Sequence, residues 1–282
     1  MNSSVQHNKK NFYKYLIIPY FFIVILFILI PVFVVLIDSI QKQNTEPIFK
    51  VVFTLEYYRN FYSNFSFLYI LFRSILISII STCLLVIIAY PLAYIVYKFN
   101  FVVQSILVLL INGIMWINMI LKIHSLIQIF SLIERIFKIT LLETNLVMFI
   151  GFIYVFLPYI FLSIFLSISK IDPILIDSAK DLGSNNKQIF KKIIFPLSVP
   201  GLISGIVLVF IQIITNLVVP KYLGPTTTTV ISELIENKTF LSGDIKNASA
   251  IAINLTFFIF IVLYLSKKNK FLKTYDKNVQ TK

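Results

Sequence analysis

Charge is the scarcest property of this sequence. Only 13% of its 282 residues are Asp, Glu, Lys or Arg, where a soluble domain carries about a quarter. A chain so poor in charge cannot clothe itself for water, so its main solvent is hydrocarbon. Cysteine is nearly absent too. Cys83 stands alone, which excludes an internal disulfide, and its apolar neighbours point to a buried structural thiol. Histidine occurs only as His7 and His124, and no cluster of His, Asp, Glu or Cys gathers near an apolar boundary as a membrane enzyme would require. Asp and Glu stay out of the apolar runs, which tells against a stand-alone ion-coupled transporter, as does the lack of an internal repeat. No Gly-x-x-x-x-Gly-Lys-Ser/Thr phosphate loop is present, so ATP hydrolysis does not belong to this chain. The formal charge of +13 would suggest nucleic acid in a soluble protein. Here the basic residues sit in tails and short loops between apolar runs, and nucleic acid is not an expected partner.

What the sequence has in abundance is long uncharged stretches. Six run roughly Tyr15–Ile37, Ser74–Tyr97, Phe99–Leu121, Leu146–Ser169, Ile193–Pro220 and Ala248–Ser266. At about 1.5 Å per residue, some 20 residues cross the roughly 30 Å hydrocarbon core. A single buried Lys or Asp would cost at least about 2.5–3.5 kcal/mol, so the clearance between charges is a physical requirement met six times. The fold class is therefore all-α integral membrane, with about six transmembrane helices. The first run exceeds the usual signal-peptide core of about 7–15 residues, and no small-x-small cleavage site follows it. It reads as an uncleaved span.

The basic residues set the expected orientation. An inside N-terminus puts Lys9, Lys10, Lys14, Lys98, the 170–192 loop and the C-terminal tail in the cytoplasm, with 15 of the 25 Lys and Arg. The longer outer loops share the other ten. The organisation is then a cytoplasmic N-terminal tail (1–14), one transmembrane domain (15–266) and a cytoplasmic basic tail (267–282). In the outer loop at Ser125–Lys138, Leu126, Ile129, Phe130, Ile133 and Ile136 recur at helical spacing with Glu134 and Arg135 opposite, which predicts a short interfacial helix.

The most informative segment lies between the fourth and fifth runs. Asp172 suits an N-cap and Pro173 the first helical turn. A helix then runs to about Leu182, and Gly183 supplies a left-handed stop. Asn185 and Gln188, three apart, form a second capping signal. The prediction is helix, sharp turn, helix, with the second helix continuing into the fifth span. Ile174, Leu175, Ala179 and Leu182 share much of one face. An amphipathic helix of about ten residues is marginal in water by itself, so it needs a surface to dock against.

This segment resembles the EAA loop of ABC-importer permeases, whose pattern is Glu-Ala-Ala, three residues, Gly, nine residues, then Ile-x-Leu-Pro. Here Asp177-Ser178-Ala179, Gly183 and Ile193-Ile194-Phe195-Pro196 keep every spacing. Asp177, Ser178 and Phe195 depart mildly from the pattern. The resemblance implies a type I (MetI-like) importer permease fold in a bacterial inner membrane, multi-pass with both termini cytoplasmic. It also implies that the short helix is a coupling helix seated in a cytoplasmic ABC ATPase dimer, with Asp177, Ser178, Ala179, Leu182, Gly183 and Pro196 carrying the coupling. ATP and Mg would be held by that ATPase, and no cofactor by this chain. The further partners implied are a second permease subunit, as a heterodimer, and a periplasmic or extracellular substrate-binding protein. Pro196 and Pro200 weaken the fifth helix, and Gly201 to Gly205 offers a small-xxx-small face for a close helix neighbour.

Other stretches are similar to permeases of spermidine/putrescine importers, specifically the first of their two permease subunits. They are Val52-Phe-Thr-Leu-Glu-Tyr-Tyr58, Tyr90-Pro-Leu-Ala-Tyr94, Trp116-Ile-Asn-Met-Ile-Leu-Lys-Ile-His124, Phe156-Leu-Pro-Tyr159 and Val218-Val-Pro-Lys-Tyr-Leu-Gly224. The resemblance spans about Val51 to Leu265 and implies polyamine cargo. A polycation favours carboxylates or aromatic faces. The runs hold no carboxylate, and Asn216 stands where some relatives have Glu. Trp116, Asn118, Asn216 and Tyr159 are the candidate pathway residues, with Tyr90, Tyr94 and Tyr154 as further aromatic surface. The amides of Asn112, Asn118, Gln212, Asn216 and Asn254 are expected to face other helices or a pathway, and Lys122 to snorkel to the outer interface. Within the importer class, ferric iron, thiamine or an inorganic anion are the alternative cargoes.

Overall fold

A computed structural model describes residues 19–42 and 52–268. The expected N-terminal tail, its three lysines and nearly all of the C-terminal tail lie outside the described residues. Those described form helices α1 (Pro19–Ile40), α2 (Glu56–Ser63), α3 (Phe65–Tyr97), α4 (Phe101–Gly113), α5 (Met119–Phe137), α6 (Asn145–Ser169) and α7 (Pro173–Asp181). They continue with α8 (Asn186–Ile214), α9 (Val218–Leu223), α10 (Ile231–Glu236) and α11 (Ile245–Lys268). No strand is formed among the described residues; one isolated bridge pairs Gln41 with Phe53.

Among the described residues five helices are long and apolar enough to cross a membrane, or up to six spans if α4 and α5 count as one broken span. Two boundaries differ from the hydropathy reading. The expected third span, Phe99–Leu121, does not exist as one rod: α4 ends in a tight turn at Ile114–Trp116, and α5 leaves at 100°. Asn118 causes the restart. Its backbone leaves the helical region (φ −55°, ψ 134°) and its side-chain oxygen accepts from the Ile120 N–H at 2.9 Å, which caps a new helix. The interfacial helix expected at Ser125–Lys138 is consequently the second half of α5. The expected fifth span, Ile193–Pro220, starts earlier, at Asn186, and stops at Ile214.

The described residues form two compact units, one within 19–65 together with Ile235–Phe257, the other Ser66–Leu234 with 258–268. In the first, the end of α1 is tied to α2 by the Tyr58 hydroxyl, which donates to Ser39 Oγ at 2.7 Å, and Ser39 in turn donates to the Leu36 carbonyl. Tyr62 donates to Asn254 Oδ1 at 2.8 Å, so that amide serves helix packing. The apolar side chains of α1 are exposed along its length, as befits a helix whose solvent is lipid or a neighbouring protein.

The second unit is built around α6, whose Phe152, Ile160, Phe161, Ile164 and Ile168 are all buried. Gly201 and Gly205 of α8 face it, and a Cβ at either position would crowd Ser167 or Ser163. Small residues let the two backbones approach, and the serine hydroxyls use the proximity: Ser163 donates to the Gly201 carbonyl at 2.8 Å and Ser167 to that of Ser198 at 3.3 Å. Ser198 also shares a 2.7 Å hydrogen bond with the Tyr90 hydroxyl of α3, so three helices are pinned at one serine. Ser74, Ser78 and Thr82 donate to carbonyls four residues back, which satisfies hydroxyls that lipid could not. Cys83, expected to be buried, lies exposed on α3. A helix that is apolar all round gives no sequence signal of which face turns inward.

Two wide helical turns share one cause. Ile25–Leu29 precedes Pro31, and Phe190–Ile194 precedes Pro196. A proline within a helix removes an N–H and clashes with the carbonyl four residues back. Widening the preceding turn absorbs both effects without breaking the helix.

Candidate functional site

The loop between α6 and α8 is set by three local caps. Asp172 Oδ1 accepts from the Ile174 N–H at 3.0 Å and starts α7. At the other end Gly183 adopts φ +79°, a conformation that costs a residue bearing a Cβ about 1–2 kcal/mol. The N–H groups of Gly183 and Ser184 bond back to the carbonyls of Lys180 and Ala179 at 2.8 and 2.9 Å, closing the helix. Asn185 and Gln188 then exchange reciprocal side-chain-to-backbone bonds, both 2.9 Å, and open α8. A helix, a reversal and a second helix are thus specified within about 17 residues.

The faces of α7 divide more sharply than periodicity alone suggested. Ile176 and Ala179 turn inward and pack against the core. Ile174, Leu175 and Leu182 are 69%, 50% and 87% exposed, so Ala179 does not belong with them. Ser178 and Asp177 lie on the exposed surface. Lys180 donates to Asp177 at 2.9 Å, and that hydrogen bond holds its ammonium above the ordinary lysine range. Both partners are open to water, so the pair contributes little stability. The outcome is an exposed apolar trio, flanked by a fixed acid–base pair, on a helix with anchored ends. Pro196 lies in α8 just beyond the wide turn.

A second feature lies where α4 gives way to α5 and α8 ends, beside α6. The α4–α5 break supplies Met115, Ile117, Met119 and Lys122; α6 supplies Val155, Phe156 and Tyr159 beside Pro158; the end of α8 supplies Gln212, Thr215, Asn216 and Leu217. Together they enclose a cavity of about 360 Å³. Irregular backbone within a membrane is tolerated where it lines a cavity or is buried in protein. Asn216 shows why the chain can break here. Its Oδ1 accepts from the Val219 N–H at 2.9 Å and its carbonyl accepts from the Ser232 hydroxyl at 2.7 Å, replacing bonds a continuous helix would have made.

Of the candidate pathway residues, Asn216 and Tyr159 line this cavity. Asn118 is spent on capping α5, and Trp116 points away, 81% exposed. Lys122 was expected at the interface; instead it is 4% exposed and lines the cavity. Once α5 restarts at Asn118, residues 119 and 122 lie one turn apart on a single inward face, whereas a straight span would have carried Lys122 outward. The signal was the capping amide, which hydropathy does not weigh. Gln212 joins it: its Oε1 is buried without a hydrogen-bond partner. Among the described residues no carboxylate lines the cavity, and no cluster of His, Cys, Asp or Glu could hold a metal ion.

Residues 86–268, which include both the loop and the cavity, match the family described as binding-protein-dependent transport system inner membrane component. The chain is 27% identical over 261 residues to the spermidine/putrescine transport system permease protein PotB of Haemophilus influenzae, covering 88% of this chain and 91% of that protein. Its identity to the PotB of Escherichia coli K12 is 27% over 250 residues, covering 85% and 90% of the two chains. PotC of Haemophilus influenzae is 22% identical over 205 residues, with coverage of 73% and 77%. The fold is similar to a bacterial alginate ABC transporter in complex with an alginate pentasaccharide-bound periplasmic protein, with a TM-score of 0.76, 14% identity and coverage of 95% and 98%. It is also similar to the MetNI methionine ABC transporter in an inward-facing conformation, with a TM-score of 0.57, 13% identity and coverage of 73% and 96%.

Proposed function

Because this chain belongs to the family of binding-protein-dependent transport system inner membrane components, it is a permease subunit of an importer, and we propose that it moves polyamines under the drive of a separate ATPase. The observation that carries the drive is the exposed trio Ile174, Leu175 and Leu182 on a helix fixed at both ends. Fully burying such a side chain is worth about 1.5–3 kcal/mol, so a groove that covers all three gains enough to hold α7 as the ATPase dimer closes. ATP and Mg belong to that dimer. The loop and both termini face the cytoplasm, where 15 of the 25 basic residues then lie. A second permease chain, different from this one, and an external binding protein complete the importer.

The lever has a continuous physical path. Motion of α7 passes through the Gly183 reversal and the Asn185–Gln188 box into α8. Tight contact of Gly201 and Gly205 with Ser163 and Ser167 carries it to α6. Both helices line the cavity, through Gln212 and Thr215 on one side and Phe156 and Tyr159 on the other. Displacing α8 therefore alters the cavity wall directly, and the wide turn before Pro196 is where the helix can flex.

Polyamine cargo is supported by the likeness to PotB, a spermidine/putrescine permease, over most of the chain. The cavity offers an ammonium group neutral acceptors and aromatic faces, and Lys122 opposes a tight fit. A conducting site has to release what it admits, so one like charge suits transit. A second reading has one observation in its favour: among the described residues, Lys122 is the only charged side chain lining the cavity, which suits an anionic cargo. Uptake of labelled spermidine by vesicles holding the complete importer and its binding protein decides between them. Polyamine transport predicts ATP-dependent accumulation blocked by excess putrescine; accumulation of an anion such as phosphate or sulfate, with no spermidine uptake, contradicts it.

A further inference from the structure

We propose that the chain carries a binding site for an anionic phospholipid headgroup at the root of the lever, formed by Lys98, Lys187 and Lys191. These three lysines share a cavity of about 540 Å³ with Tyr94, Phe190 and Phe195. Lys98 follows the last residue of α3, and Lys187 and Lys191 occupy the first two turns of α8 on one face, four residues apart. All three therefore lie at the ends of apolar helices, at the depth where headgroups meet hydrocarbon.

Among the described residues no carboxylate lines this cavity. Asp177 lines the adjoining cavity under α7, where it is engaged by Lys180 at 2.9 Å. The ammonium of Lys98 sits 4.5 Å above the centre of the Tyr94 ring, a contact that orients the charge without neutralising it. Three like charges in one pocket repel each other, and a phosphate diester relieves that repulsion. One helical turn deeper, Phe195 is 42% exposed, and its ring with those of Phe190 and Tyr94 gives an apolar floor for the first part of an acyl chain. Basic recesses between transmembrane helices are suited to anionic headgroups in this way.

The position gives the lipid a consequence. The adjoining cavity shares Tyr94, Lys98 and Asn186 with this one and continues to Pro173, Ile176 and Lys180 of α7. A headgroup bound between α3 and α8 therefore ties the base of α7 to the membrane surface. The inference rests on the membrane placement of α3 and α8 under the proposed function, and is independent of cargo.

The test uses the full chain in lipid nanodiscs that contain a photoactivatable phosphatidylglycerol or the matching phosphatidylcholine. Labelling by the anionic probe is expected within residues 94–98 and 186–195, at least about fivefold above the zwitterionic one, the factor one lysine near an anionic surface supplies. The K187Q/K191Q variant is expected to lose at least about fivefold of that labelling, while K170Q/K192Q, which removes equal charge from the same 170–192 segment, retains it. Equal loss in both variants, no preference for the anionic probe, or displacement by soluble glycerol phosphate overturns the proposal. Spermidine uptake can fail without affecting any of these readouts, so the two inferences are separable.

Discussion

The hydroxyl of Ser163 in α6 donates to the main-chain carbonyl of Gly201 in α8 at 2.8 Å. Such a bond requires two backbones nearly in contact, and a side chain at residue 201 would occupy the space Ser167 already fills. This contact joins the helix that continues from the loop to the helix at the centre of its unit.

Replacing Gly201 with Leu should therefore be far more damaging than removing the hydroxyl. Overpacking costs about 1–3 kcal/mol, against about 0.6 kcal/mol for an average interhelical hydrogen bond in a membrane. Thermal unfolding of the detergent-solubilised chain should give a clear drop for Gly201→Leu and a small one for Ser163→Ala. Equal drops would mean that the helices are not in close contact.

Gly183→Val should leave insertion intact and uncouple transport from ATP hydrolysis, because φ +79° is strained for any β-branched residue. Gly183→Asn, which tolerates the left-handed region, should retain most uptake. Asp177→Lys, which sets like charges three residues apart where a 2.9 Å pair now stands, should also uncouple. The check is uptake and ATPase activity measured on the same reconstituted importer.

The loop was legible in the sequence because its determinants are local. Asp172, Gly183 and the Asn185–Gln188 pair each act within one helical turn, and the spacing from Asp177 to Pro196 carried the family resemblance. The cavity was not legible, for a physical reason. Hydropathy registers how apolar a stretch is and is blind to a break inside it, so Phe99 to Leu121 reads as one rod although Asn118 starts a new helix at 100° to the old one. The burial of Lys122 and the exposure of Trp116 both follow from that bend.

Asn185→Ala removes one side of the reciprocal box that opens α8, a loss of about 0.5–2 kcal/mol at a helix start. Hydrogen exchange should then rise at residues 186–190 while α6 keeps its protection. Unchanged exchange would show that the box does not hold the helix start.

The role of Lys122 has a sign. For polyamine cargo, Lys122→Gln removes a like charge and should leave uptake intact or lower the half-saturating concentration. For an anionic cargo the same change should abolish uptake. Full-length expression of both proteins in the membrane is the necessary control, since Lys122 is 4% exposed and its loss also alters packing.

Coupling depends most on what Leu182 touches when the importer is assembled, since this side chain is 87% exposed at the end of α7. A photo-cross-linking residue placed at 182 in intact cells should capture the cytoplasmic ATPase, in a yield that changes between nucleotide-free and ATP-trapped states. Capture of lipid or an external protein alone, or labelling of residue 182 by a reagent that cannot cross the membrane, would contradict it.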